Sequence, residues 1–356
     1  YMEEENRYIK TLNKNERNKI FIMEKEIINF NKNSIPIRFR ILQSNLNVSS
    51  KNSILKKLDH FYTLEETENE YGKLSQWVEG LEKIPLGQIS KMNMNLNNHS
   101  NEIINYFHNV KMTLDESVYG HEIAKNKIIQ ILAQIITNPD CSGNCIAIQG
   151  PPGNGKTTLV KDGICKAIGR PFGFIALGGM QNSDFMIGHD YTYEGGKAGR
   201  IVEILQECQC MNPVIYFDEL DKISDTPKGE EIAGVLCHLT DPSQNDEFQD
   251  KYFSGIDFDI SKAIFIFSYN DESKVNKILL DRMTKIHTNG FGIKDKIQIS
   301  KKYLIPRMCK NIGFDKRDII FPDDVIQSII MNRTHDEKGV RNLKRCFETI
   351  ISKLNV

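Results

Sequence analysis

Up to about residue 82 the chain repeats its apolar residues at helical spacing. In "ILKKLDHFYTL", Ile54, Leu55, Leu58, Phe61 and Leu64 fall on one face. Leu74, Trp77, Val78, Leu81 and Ile84 continue the pattern until Pro85 interrupts it. A polar stretch rich in asparagine, "QISKMNMNLNNHSNE", follows and reads as a linker. From about Leu114 to His287 the period changes. The short apolar runs "CIAIQ", "FGFIAL", "PVIYFDE" and "AIFIFSYN" alternate with helix-length segments such as 156–168 and 228–239. Apolar strands separated by helices argue for a parallel sheet covered on both faces. After Asn289-Gly290 the pattern is helical again, through "PDDVIQSIIMNRT" and "VRNLKRCFETIISKLNV". The organisation predicted is an N-terminal helical region over 1–82, able to brace its neighbours or form a coiled coil. An α/β domain over 83–289 and a small helical domain over 290–356 complete it.

Composition narrows the picture only slightly. A length of 356 residues suffices for two or three domains with a sizeable core. A net charge of −1, with 26% of residues charged, is not the footprint of a general polyanion binder. The eight cysteines, Cys141, Cys145, Cys165, Cys208, Cys210, Cys237, Cys309 and Cys346, form no Cys-x-x-Cys pair. They read as reduced thiols of an intracellular protein. A metal site at Cys237-His238 is the sharper alternative, without further ligands nearby in sequence. No apolar run approaches the ~18 residues that a membrane helix needs. The acidic opening "YMEEENRYIK" is unlike a signal or transit peptide, and a start at Tyr1 suggests a fragment.

The strongest local signal is "GPPGNGKTT", in which Gly150, Pro151, Pro152, Gly153, Asn154, Gly155, Lys156, Thr157 and Thr158 complete G-x-x-x-x-G-K-T. It follows one predicted strand and opens a helix, the setting of a phosphate loop. Successive backbone N–H groups of such a loop converge on one concavity, and the helix N-terminus adds partial positive charge. Lys156 would reach the β- and γ-phosphates of ATP, and the Thr157 hydroxyl would hold Mg²⁺. Further along, "PVIYFDELDK" is a buried strand ending in Asp218-Glu219. Asp218 suits the Mg²⁺ side, usually through water, and Glu219 suits polarising the attacking water. Two acidic residues at a strand end are common alone; beside a phosphate loop they indicate an ATPase.

Three more polar residues fit around that pair. Asn270 ends "AIFIFSYN" and can orient a water without adding charge. Arg282 in "LLDRM" and Arg341 in "KGVRNLKR" are far apart in sequence. Both would approach one γ-phosphate in a ring, one from the same subunit and one from its neighbour as an arginine finger. Taken singly, each arginine fits a surface salt bridge equally well.

In their order these motifs resemble the AAA+ module of the Lon ATP-dependent proteases. The matching segments are "LEKIPLG", "LDESVYGHEIAKNKI", "GPPGNGKTTL", "ALGG…IGHDYTYEGGKAGRI", "NPVIYFDELDKI", "LTDPSQNDEFQDKYF", "LLDRM", "YLIPRM" and "KGVRNLKR". They run from about Trp77 to Arg345, roughly three quarters of the chain. The resemblance implies an AAA+ P-loop fold: a parallel sheet flanked by helices, with a helical segment before it and a small helical domain after it. It implies MgATP as the fuel, with Tyr119 of "VYG" near adenine, Asn270 as sensor 1, Arg282 as the trans-acting finger and Arg341 as sensor 2. It places Tyr193 as the aromatic of the first pore loop, and a flat ring grips any polypeptide by packing rather than by sequence-specific bonds. Gly195 and Gly196 would leave that loop free to move with the nucleotide.

The sequence also departs from the family pattern. Glu194 follows Tyr193 where an aliphatic residue is usual, so a ring of carboxylates would weaken apolar grip and favour basic substrates. Tyr191 stands where the pattern has a basic residue. "HLTDPSQN" runs one residue longer than the family's helix end. Lon proteases continue into a domain with a Ser–Lys dyad, and none is present before Val356, so truncation is expected. The function expected is the unfolding motor of a Lon-like protease, a homo-oligomer and by resemblance a hexamer, acting on unfolded or damaged proteins. A stand-alone remodelling ATPase is the alternative. A DNA-binding AAA+ protein is disfavoured by the charge balance and the lack of a Lys/Arg-dense helix. The expected compartment is the cytoplasm, with the mitochondrial matrix or a viral origin as alternatives, and no membrane partner is expected.

Overall fold

The computed structural model describes residues 2–32, 35–92, 94, 98–138, 145–315, 319–334 and 336–354, with the backbone alone for 26–32. Cys141 and four residues of the asparagine-rich linker (93 and 95–97) lie outside them. The chain divides into two compact units, Tyr1–Asn45 and Leu46–Val356. The first holds helices Glu3–Thr11, Lys14–Lys32 and Ile37–Gln43. The second of these starts on a reciprocal cap: Asn13 Oδ1 accepts from Glu16 N at 2.9 Å, and Glu16 Oε2 accepts from Asn13 N at 3.1 Å.

The second unit is built on strands β1 (Cys145–Gln149), β2 (Phe172–Ala176), β3 (Val214–Asp218), β6 (Ile264–Tyr269) and β7 (Thr284–His287). They form one parallel sheet in the order β2-β3-β6-β1-β7. Two short strands, β4 (Phe248–Gln249) and β5 (Asp257–Phe258), make a separate antiparallel pair. Every residue of the central strand β6 is buried, which is why its sequence is apolar without alternation. Phe217 and Phe267 stack across β3 and β6 with centroids 4.7 Å apart. A continuous helix over 156–168, with a π-type stretch Leu159–Cys165, follows β1. Its Leu159, Val160 and Ile164 pack with Val110 and Leu114 of helix Ser100–Ser117 against one face of the sheet. This is the parallel sheet flanked by helices that the sequence predicts.

Residues Ile305, Met308, Phe321, Ile330, Leu343, Phe347 and Ile351 form a second core, with Phe321 and Phe347 meeting edge to face at 5.1 Å. Helices Val48–Phe61 and Asn69–Glu82, grouped by periodicity with the N-terminal helices, pack within the sheet unit. Trp77 is fully buried there and donates Nε1–H to the Tyr252 carbonyl at 3.1 Å. Asp257 accepts from Asn47 Nδ2 at 2.8 Å and from Ser50 Oγ at 3.2 Å. Among the described residues no helix is long and apolar enough to cross a membrane.

The register decides where chemistry can happen. Gln149 lies beside Tyr269, and Phe217 beside Phe267, so the phosphate loop, Asp218-Glu219 and Asn270 all leave the sheet at its carboxyl edge. In parallel α/β sheets that edge is where ligands bind.

Candidate active site

The loop between β1 and the 156–168 helix turns through Gly153 and Gly155, both in the left-handed region at φ 74° and 91°. Lys156 Nζ donates to the carbonyls of Gly150 (2.8 Å) and Pro151 (3.1 Å) and to Asn270 Oδ1 (2.9 Å). The structure therefore brings together the lysine of the phosphate loop and the asparagine that ends β6. Burial lowers the Lys156 pKa, and the carboxylates of Asp218 and Asp221 oppose that shift.

Asp218 ends β3 facing the loop. Its Oδ1 accepts from Tyr216 OH (3.3 Å), from Glu219 N (3.1 Å) and, closely, from Ser268 Oγ. Thr157 Oγ1 lies 3.3 Å from the same Tyr216 hydroxyl. Among the described residues no donor meets Asp218 Oδ2. A carboxylate oxygen and a hydroxyl are hard donors of the kind Mg²⁺ selects, so Asp218 and Thr157 fit that ion. Glu219 is exposed and sits at φ 62°, a left-handed conformation rare for a side chain of this kind. A Cβ at Gly178 would collide with Glu219 Oε2, so the glycine after β2 gives the glutamate its room.

Arg341 opens helix Arg341–Leu354 and reaches the same loop from the small core. Val340 N donates to the Gly153 carbonyl at 3.0 Å, and a Cβ on Gly153 would stand 2.9 Å from Arg341 Cβ. Gly339 packs onto the Pro152 carbonyl too closely for any side chain. Arg282 is elsewhere. It precedes β7, whose Thr284 pairs with Ile146, at the amino edge of the sheet. Its guanidinium donates to the Cys237 carbonyl (2.7 Å) and pairs with Asp241 (3.2 Å). Tyr119 faces Asp295 of helix Ile293–Ile299, and burial together with that carboxylate raises its pKa.

The two tyrosines of the glycine-rich loop have different surroundings. Tyr191 is half-buried: Lys57 Nζ lies over its ring at 4.5 Å and over the Trp77 ring at 4.7 Å. Tyr193, by contrast, is 71% exposed. The turn that carries it is tied at its base. Asp190 Oδ1 accepts from Thr192 N (2.9 Å) and Oγ1 (2.7 Å), and Lys73 Nζ donates to the Thr192 carbonyl (2.6 Å). Gly196 N donates to the Tyr193 carbonyl at 3.1 Å, and a Cβ on Gly196 would strike the Asp190 carbonyl. Gly196 thus serves close packing, whereas Gly195, at φ 78° with open space around it, supplies the turn. Buried Asp250 closes the loop's far end, accepting from the N–H groups of Gly199 (2.8 Å) and Tyr252 (2.9 Å).

Sequence reasoning passed over several residues at this site. Thr288 Oγ1 accepts from Asn154 Nδ2 (2.7 Å) and donates to the Gln149 carbonyl (2.7 Å), so it braces the loop from the end of β7. His121 Nε2 lies 3.0 Å from the Asn154 carbonyl. Ser268 and Tyr216 hold Asp218, and the only available signal was their two-residue spacing from Asn270 and Asp218, which puts each on its partner's face of the strand.

Comparison with known proteins agrees with this geometry. Residues 146–291 match the family described as ATPase family associated with various cellular activities (AAA). The chain is 39% identical over 327 residues to a Lon protease homolog of Acanthamoeba polyphaga mimivirus, covering 90% of this chain and 31% of that protein. It is 36% identical over 299 residues to a Lon protease of Porphyromonas gingivalis, covering 84% and 34%. It is 34% identical over 291 residues to a mitochondrial Lon protease homolog of Saccharomyces cerevisiae, covering 82% and 24%. The chain spans about a third or less of the length of these curated relatives.

Proposed function

The chain is an AAA+ ATPase module of the Lon type, and from that premise we propose that it is the motor of a Lon-like ATP-dependent serine protease. In this reading a homohexameric ring spends ATP to draw unfolded or damaged protein chains through its pore, toward a protease domain elsewhere in the whole protein. The observation that carries the reading is the contrast between the two loop tyrosines. One is clamped by Lys57 and Trp77, while Tyr193 stands 71% exposed on a tied turn. An exposed aromatic on a braced loop has no packing role in its own subunit and suits gripping a chain by surface contact. Glu194, beside it, sets a carboxylate at each grip and favours basic segments.

The site supplies the ATP chemistry. Backbone N–H groups of the phosphate loop and Lys156 would bind the phosphates, and Thr157 and Asp218 would hold Mg²⁺. The ion, when bound, offsets phosphate charge. Glu219 would take the proton of the attacking water, with Asn270 orienting that water. Arg341 lies against the loop from the same subunit, and Arg282 would serve a neighbour's site. The test is Tyr193→Ala. ATP turnover should stay within about threefold of wild type, while unfolding of a fluorescent domain carrying an unstructured tail should be lost. A variant that still unfolds the domain would overturn the pore-loop role.

A further inference from the structure

We propose that Tyr216 is a positioning residue for the divalent cation: its phenol oxygen accepts a hydrogen bond from the Thr157 hydroxyl and its O–H donates one to Asp218, so that both groups turn lone pairs toward the ion. The proposal rests on the reading of this site as one for MgATP. Its basis is geometric. Tyr216 and Asp218 are two residues apart on β3 and so share a face of the sheet. Thr157, in the first turn of the helix that follows the phosphate loop, completes the line. The phenol oxygen lies 3.3 Å from Thr157 Oγ1 and 3.3 Å from Asp218 Oδ1.

Counting protons fixes the direction of that line. An ionised carboxylate only accepts, and a phenol has one O–H, so that O–H donates to Asp218. The phenol oxygen is then an acceptor toward Thr157, whose single hydroxyl proton is spent on it. Thr157 is left with lone pairs only, which is what a cation requires of a hydroxyl ligand. At Asp218, Ser268 Oγ, Glu219 N and the phenol all converge on Oδ1, leaving Oδ2 for the ion. The ring itself is fully buried and packs against both Phe172 and Phe174, each at 6.0 Å, so the hydroxyl has little freedom to turn away.

Tyr216→Phe removes the hydroxyl and keeps the ring. The readout is the equilibrium Kd of a non-hydrolysable ATP analogue, titrated once with Mg²⁺ and once with EDTA. The Kd in EDTA should stay within about twofold of wild type, while the Kd in Mg²⁺ should weaken about fivefold, the scale of one hydrogen bond. The EDTA titration also reports whether the variant is folded. In a double-mutant cycle with Thr157→Val, the Tyr216→Phe effect should shrink, because the phenol acts through that hydroxyl. An unchanged Mg²⁺-to-EDTA ratio, or strict additivity in the cycle, overturns the proposal. Wild-type protein that binds the analogue under neither condition would instead overturn the nucleotide-site reading itself.

Discussion

Glu219 shows how much one residue's chemistry depends on its backbone. At φ 62° it turns its side chain out of β3 and over Gly178, where a Cβ would meet the present position of its carboxylate. Glu219→Gln keeps that shape and removes the base. Turnover should fall by about two to four orders of magnitude, with ATP affinity unchanged. Steady-state phosphate release beside a binding titration checks both, and near-normal turnover would remove Glu219 from the role of base. The identities of Lys156, Thr157, Asp218, Glu219 and Asn270 were legible in the sequence because phosphate chemistry restricts residue types at short spacing. Tyr216, Ser268 and Thr288 were not, since each is an ordinary residue of a strand or its end until the register sets it beside a partner from another strand or loop.

At the scale of elements, the segment from Gly188 to Gly199 behaves as a braced hairpin rather than a free loop. Its ends meet through His189 N donating to the Lys197 carbonyl at 3.0 Å, and Asp250 holds Gly199. Burial raises the Asp250 pKa to about 7, although the N–H groups of Gly199, Tyr252 and Phe253 pull it down. A carboxyl with a folded pKa above its unfolded one binds more protons when folded. Its contribution to stability is therefore full at low pH and is lost as pH rises from about 4 to about 7. Asp250→Asn cannot ionise and sets an amide among N–H donors. It should cost ~1–3 kcal/mol and abolish that fall. Urea midpoints at pH 5 and pH 7.5 measure the difference, and equal slopes in both proteins would exclude Asp250 as the source. Sequence pattern located the strand before this segment, but the clamp of Lys57 on Tyr191 joins elements that no local pattern links.

At the scale of the whole molecule, the two arginines part company. Arg341 is held to the phosphate loop by the Val340–Gly153 hydrogen bond, so rotation of the small core would move it with the loop's occupant. Arg282 sits at the amino edge of the sheet, opposite the edge where the phosphate loop leaves, and contacts Cys237 and Asp241. It cannot serve its own site without crossing the sheet. Arg282→Ala and Lys156→Ala should each lower turnover at least ~10³-fold, the scale of an arginine finger for the first. Mixed in equal amounts they should regain part of it, because some Lys156-bearing sites then face an intact Arg282 on a neighbour. No recovery on mixing, with assembly confirmed by light scattering, would place the action of Arg282 elsewhere.

By itself the sequence determined the fold class, the G-x-x-x-x-G-K-T loop, the acidic pair after β3 and the position of Tyr193, the tyrosine we propose as the grip. These depend on periodicity and on short runs in which one chemistry dictates each residue. Tertiary structure alone decided which partners those residues have. It packed residues 46–82 onto the sheet unit, separated clamped Tyr191 from exposed Tyr193, and set Arg341 on the loop with Arg282 at the opposite edge. It also strung the hydroxyls of Thr157 and Tyr216 and the carboxylate of Asp218 on one hydrogen-bonded line. Such placements follow from strand order and packing across large sequence separations. A parallel sheet joins strands through helical crossovers, so side chains that different strands bring to its edge lie far apart in the chain.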